Sequence, residues 1–194
     1  MHDLDDAPAV RRENLRQVLH ALKGRGTDTI WFGRDLGYRG GRRTGLSLTD
    51  EGRLAHFSRL LGHASLRRAT VGLPIVERTA SVVWGVIDRM PAPPVLWNAF
   101  PLHPHVEDDP MSNRAHSRIE RRATEWTIRV LIETFAPKQV IAIGNDAKSA
   151  LNDLGVDCTL VRHPSYGGQG EFVATMERLY CLPPTQTESQ PRLL

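Results

Sequence analysis

Cysteine is nearly absent: Cys158 and Cys181 are the only two in the chain. Two thiols cannot build a four-thiolate iron–sulfur cluster or a four-cysteine zinc site. A disulfide is not expected in a reducing compartment, so both read as buried apolar thiols. No apolar run approaches the roughly 18–20 residues that a membrane span requires. The opening segment MHDLDDAPAVRREN turns from acidic to basic without an apolar centre, which is not a secretory signal. There is no Gly-x-Ser-x-Gly elbow and no P-loop. These absences point to a cytoplasmic protein with no membrane partner.

Lysine is almost as scarce. Only Lys23, Lys138 and Lys148 occur, and every other cation is arginine. The net charge is +3 and the pI about 9.2, a mild basic excess. Arginine forks suit phosphates and base edges, and a GC-rich coding bias gives the same composition. Charge therefore permits nucleic acid as a partner without deciding it. The 194 residues, 40% of them hydrophobic, suffice for one domain with a substantial core.

Hydrophobic spacing predicts a helix over Val10–Lys23, a strand over Thr27–Phe32 and a helix to Leu61 capped by Thr49 or Asp50. Val76–Met90 reads as a helix and Val95–Ala99 as a second strand. A long helix follows from Ser112 or Asn113 to about Phe135, with Ile119, Ala123, Trp126, Val130 and Leu131 on one side. Gln139–Ile143 is a third strand, Asp146–Leu154 a helix, Cys158–Val161 a fourth strand, and Glu171–Leu182 a final helix. The alternation makes the class α/β: a three-layer α/β/α sandwich with a central, mostly parallel four-stranded sheet. One domain spans 1–182, and 183–194 reads as a polar, disordered tail.

Ligands bind at the carboxyl ends of strands in such sheets. Three strands end in polar residues unlike core: Asp35, Asn98 and His163. Asp35 sits in the stretch Trp31–Thr49, WFGRDLGYRGGRRTGLSLT, among five glycines and four arginines. That stretch suits an anionic ligand, or is simply a solvated glycine turn. A buried Asn98 either caps local backbone or faces a ligand edge with an adjacent acceptor and donor. His163 precedes Pro164, which holds it extended. Ser165 is a turn cap or a phosphate contact. His103-x-His105 with Glu107, Asp108 and Asp109 has some look of a metal cluster, but it lies in a proline loop without further matching spacing, so no metal is expected.

Taken in order, these motifs resemble the uracil-DNA glycosylase superfamily. Gly33-Arg34-Asp35-Leu36-Gly37-Tyr38 is similar to that family's first motif, VLWNAFPLHP to its strand-end Asn motif, and His163-Pro164-Ser165 to its His-Pro-Ser loop. The run Gly37–Gly45 is closest to a bacterial branch without an iron–sulfur cluster. The likeness spans about Ile30 to Leu182. It implies a monomeric, cofactor-free enzyme that flips uracil out of DNA and hydrolyses its glycosidic bond. Asp35 would position or activate water, and His163 would stabilise the departing base. Asn98 would read the uracil edge, with Leu48, Gly37 and Phe32 around the base. Ser165, Tyr166, Gly167, Arg39, Arg42, Arg43 and Arg162 would hold phosphates. Leu48 stands where the stacking Phe belongs, Gly37 where a Tyr excludes the thymine methyl, and Gly167 where an apolar wedge is usual. Another deaminated or 5-modified base, such as hypoxanthine or hydroxymethyluracil, is the alternative substrate. A non-catalytic DNA-binding module and an enzyme on free nucleosides are the remaining alternatives.

Overall fold

A computed structural model describes residues 3–62 and 64–185. The chain runs α1 (Ala7–Gly24), β1 (Thr29–Gly33), α2 (Gly41–Thr44), α3 (Leu54–Leu60), α4 (Arg78–Ile87), β2 (Val95–Asn98), α5 (Arg118–Thr124), α6 (Trp126–Phe135), β3 (Gln139–Ile143), α7 (Asn145–Asp153), β4 (Thr159–Val161) and α8 (Gln169–Leu179). The four strands form one all-parallel sheet in the order β2-β1-β3-β4. Helices complete the α/β/α sandwich.

The strands explain themselves. β1, β2 and β3 are almost continuously apolar and buried, as strands covered on both faces must be. Trp31, Phe32, Ile30 and Ile141 are fully enclosed, and each such side chain contributes about 1.5–3 kcal/mol by leaving water. Only the edge strand β4 leaves residues exposed. Trp31 finds a partner for its ring N–H in the Tyr180 hydroxyl, 2.7 Å away.

Helix α1 starts with proline in its first turn and buries Val10, Val18 and Leu22. Asn14 lies in that same stripe, 1% exposed. Its amide donates to the carbonyls of Thr44 and Arg67 and accepts from the Arg67 N–H, so the buried group is satisfied. It ties α1 to the glycine–arginine stretch.

That stretch is well packed. Arg43 is 2% exposed, its Nε 2.8 Å from the Glu51 carboxylate and its Nη2 2.7 Å from the Thr70 hydroxyl. The expectation that Arg43 grips DNA phosphate is therefore corrected: its charge is spent inside the domain. The Thr44 hydroxyl bonds the Leu46 N–H and the Thr49 carbonyl, and Asp50 caps the helical turn at Glu51–Arg53, as its position suggests.

Three other expectations change. The long helix is two: α5 begins after Ser117, which forms a capping box with Glu120, while Ser112 and Asn113 accept from His103 instead. Ile128, Leu131 and Phe135 turn inward, whereas Ile119, Trp126 and Val130 face solvent. Cys181 is exposed rather than buried. Residues 183–185 are described and tied down, Thr185 by Glu177 and Arg89, and the rest of the expected disordered tail lies outside the described residues. No helix among the described residues is long and apolar enough to cross a membrane.

Burial works to raise the Glu51 carboxyl, but hydrogen bonds from Thr70, Arg43 and the Ile75 N–H outweigh it and hold it below the usual 4.5. Its contribution is thus fully present above that value and lost as pH falls through the lower folded one. Glu51→Gln strands the buried Arg43 charge and should destabilise by about 3–5 kcal/mol in chemical denaturation at neutral pH. The gap to wild type should narrow below pH 4.5; a gap independent of pH would remove Glu51 as its source.

Candidate active site

The end of β1 meets the end of β2 at the pair Gly33–Asn98. A Cβ on Gly33 would stand 2.5 Å from the Asn98 Oδ1, so only glycine lets that amide lie against β1. The two chains leave the sheet together. Ala99 N–H donates to the Gly33 carbonyl, Phe100 to Arg34 and Leu36 to Leu102. Asp35 and Asn98 are thereby held by one extended ladder.

Asn98 is 1% exposed, and both its amide nitrogen and its oxygen lack a partner among the described residues. Buried polar atoms in that state cost about 1–3 kcal/mol each. The Leu48 side chain lies beside it, with Cδ2 3.2 Å from the place a Gly33 Cβ would take. Leu48 has φ of 51°, a strained value for a branched side chain, and its carbonyl accepts from the Trp84 ring N–H.

Asp35 opens on a cavity of about 540 Å³, a size suited to a small organic group. Its Oδ2 accepts from Arg34 Nε at 2.9 Å and from His116 Nδ1 at 3.3 Å. Its Oδ1 takes no protein hydrogen bond among the described residues. Arg34 reaches on to Asp146 at 3.6 Å, and His116 packs on Phe100. A carboxylate fixed through one oxygen leaves the other to hold water.

His163 lines the same cavity from the loop after β4. Its Nδ1 accepts from the Ser165 N–H at 3.1 Å, with the Ser165 hydroxyl 2.7 Å away. An accepting Nδ1 places the ring proton on Nε2. Burial, then the Arg34 charge, push the imidazole below its ordinary 6.5, so it is a neutral donor at neutral pH. Gly168 makes the turn possible, because a Cβ there would meet the His163 carbonyl at 2.1 Å.

Of the residues expected at the site, Asp35, Gly37, Leu48, His163, Ser165 and Tyr166 line this one cavity. Asn98 does not line it; its side chain and that of Leu48 both pack against Gly33. Phe32 does not belong: it is fully buried in the core, because β1 is covered on both faces. Arg39 and Arg162 are exposed, Arg39 stacked on its neighbour Tyr38, while Arg42 reaches Asp3. Gly167 is exposed in the same loop. Tyr166 stands 98% exposed at φ 50° on the cavity rim.

Sequence reasoning missed His116, Asn113 and Glu77. The signal for His116 was its place directly before the Ser117-x-x-Glu120 capping box, where a following helix fixes the backbone. Asn113, which lines the cavity, accepts from the Tyr38 N–H. Glu77 carried no signal beyond standing before a helix. His103 and His105 turn to the carbonyls of Ser112 and Val106, and no group of three or more His, Cys, Asp or Glu suited to a metal occurs among the described residues.

Comparison with known proteins finds no family model and no curated protein that matches the chain.

The neutral donor state of His163 can be read by NMR. Its ring protons should titrate with a midpoint below 6.5. A midpoint above that value would mean that burial and Arg34 do not control the ring.

Proposed function

We propose that the protein is a monofunctional, cofactor-free DNA glycosylase that flips uracil from DNA and hydrolyses its glycosidic bond, leaving an abasic site. One observation carries the reading: the unpartnered amide of Asn98 at a strand end, packed at Gly33 with Leu48, which lines the cavity bearing Asp35 and His163. A uracil edge presents O4, an acceptor, next to N3–H, a donor. The Asn98 amide is the complement of that pair, and docking it would satisfy both buried atoms. Cytosine offers a donor at the fourth position and fails the match. Leu48 must move aside for this contact.

The remaining roles are those the resemblance implies, and the positions of Asp35 and His163 on one cavity support them. The C1′–N1 bond breaks with its electron pair leaving on the base, through an oxocarbenium-like state. His163 Nε2–H donates to O2, where the negative charge gathers. The Asp35 carboxylate stabilises the positive sugar and holds the water through Oδ1. The water oxygen bonds to C1′ and its proton passes to Asp35. Arg34 and His116 keep the carboxylate aimed.

DNA contact falls to the rim. Arg39, Arg42 and Arg162 with the Ser165–Gly167 backbone meet phosphates, which makes binding salt-sensitive. Flipping a base costs a few kcal/mol. Tyr166, strained and fully exposed, is placed to enter the stack that the base leaves. The enzyme acts as a monomer in the cytoplasm.

The test is an oligonucleotide with one uracil, incubated and then treated with alkali. Cleavage at uracil is expected; binding without cleavage would leave only a DNA-binding module. Asp35→Asn should slow excision by about 10²–10⁴-fold and change DNA affinity far less. Equal losses of rate and affinity would make Asp35 structural. Asn98→Asp should lower the uracil-to-cytosine rate ratio, and an unmoved ratio removes Asn98 from base reading. Tyr166→Ala should slow excision from duplex more than from single strands; equal slowing would exclude a wedge.

A further inference from the structure

Glu77 lines the cavity that holds Asp35, Leu48 and His163. It is the residue before α4, yet its side chain caps nothing. Its backbone is pinned at both ends, the N–H to Asp50 at 2.8 Å and the carbonyl by the Ser81 hydroxyl at 3.0 Å. Its two carboxyl oxygens have no hydrogen-bond partner among the described residues. Burial, and then the Asp50 charge, raise this carboxyl above its usual range against the pull of Arg39. A half-buried acid in that state does nothing for stability.

Glycine makes the room for it. A Cβ on Gly40 would stand 2.4 Å from Oε2, and one on Gly37 would stand 3.7 Å from Oε1. The carboxyl therefore lies over Gly37 and Gly40, on the wall of the pocket formed by the stretch after Asp35.

If uracil occupies the site as proposed above, its polar edge is already matched. His163 takes O2, and Asn98 takes N3–H and O4. The edge left for Glu77 is C5–C6, where uracil offers only carbon-bound hydrogen. An acceptor desolvated against C–H gains nothing, and one met by a hydroxyl or amine gains a charge-assisted bond.

We propose that Glu77 is a specificity-determining residue that accepts a hydrogen bond from a donor carried on C5 of the excised pyrimidine, with 5-hydroxymethyluracil as the type substrate. The inference rests on the glycosylase reading. Gly37 supplies the space for the substituent, and Glu77 supplies its partner. Thymine fits the space and offers no donor, so the carboxyl also works against the ordinary base of DNA.

The experiment is single-turnover excision from duplexes holding uracil, 5-hydroxymethyluracil or thymine, with wild type, Glu77→Gln and Glu77→Leu. Wild type should release hydroxymethyluracil at least as fast as uracil and far faster than thymine. Glu77→Leu should lower the hydroxymethyluracil-to-uracil ratio by about tenfold or more, and Glu77→Gln, which keeps an acceptor oxygen, should lower it less. Uracil release by each variant reports that it is folded. Excision of uracil alone by wild type, or a ratio unchanged in both variants, overturns the role of Glu77 and leaves the glycosylase reading standing. Release of no base by wild type overturns both.

Discussion

The contact between Gly33 and Asn98 governs the end of the sheet that bears the cavity. Gly33 carries no side chain, and the space a Cβ would take is the space Asn98 uses. The amide of Asn98 fills the gap and loses its access to water. Everything beyond the sheet inherits that placement, because the chain after β1 and the chain after β2 stay hydrogen-bonded for three more residues. The carboxylate and the amide are therefore not two independent loop residues. They are set on the two chains of a single hydrogen-bonded framework.

Charge is divided along the same line. Arginines of the same short stretch do opposite things. Arg43 is enclosed with Glu51 and Thr70 and neutralised there, while Arg39 remains at the surface and Arg34 spans Asp35 and Asp146. The modest formal charge hides this sorting. A desolvated guanidinium needs a carboxylate in contact, and the chain provides one eight residues later on the capped turn.

Much of the fold was legible because parallel strands announce themselves as short apolar runs between helices. The four strand positions, and the gathering of Asp35, Asn98 and His163 at one sheet edge, follow from that pattern. The α5–α6 region was misjudged because a stripe of Ile119, Ala123, Trp126 and Val130 looks like a core face; Arg121 and the capping box at Ser117 rotate it outward instead. His116 and Glu77 were illegible for a different reason. His116 reaches Asp35, and Glu77 reaches the cavity, from segments far along the chain, and no local spacing encodes that approach. Composition likewise could not tell Arg43 from Arg39, since burial of an arginine is decided by where its carboxylate partner folds.

The knotted packing of Asn14, Thr44, Arg43 and Glu51 bears on hydrogen exchange. A stretch with five glycines looks as if it should breathe freely. Its amides are instead held within the stretch: the N–H groups of Arg42, Arg43, Thr44 and Gly45 donate to the carbonyls of Gly37, Gly40 and Gly41 and that of Leu46 to the Thr44 hydroxyl, while Asn14 anchors the Thr44 carbonyl, so they should exchange slowly. Motion that admits a ligand must then come from the other walls: the Leu48 side chain, the segment before α4 and the loop bearing Tyr166. The most glycine-rich part of the chain is the anvil, and the moving parts lie around it.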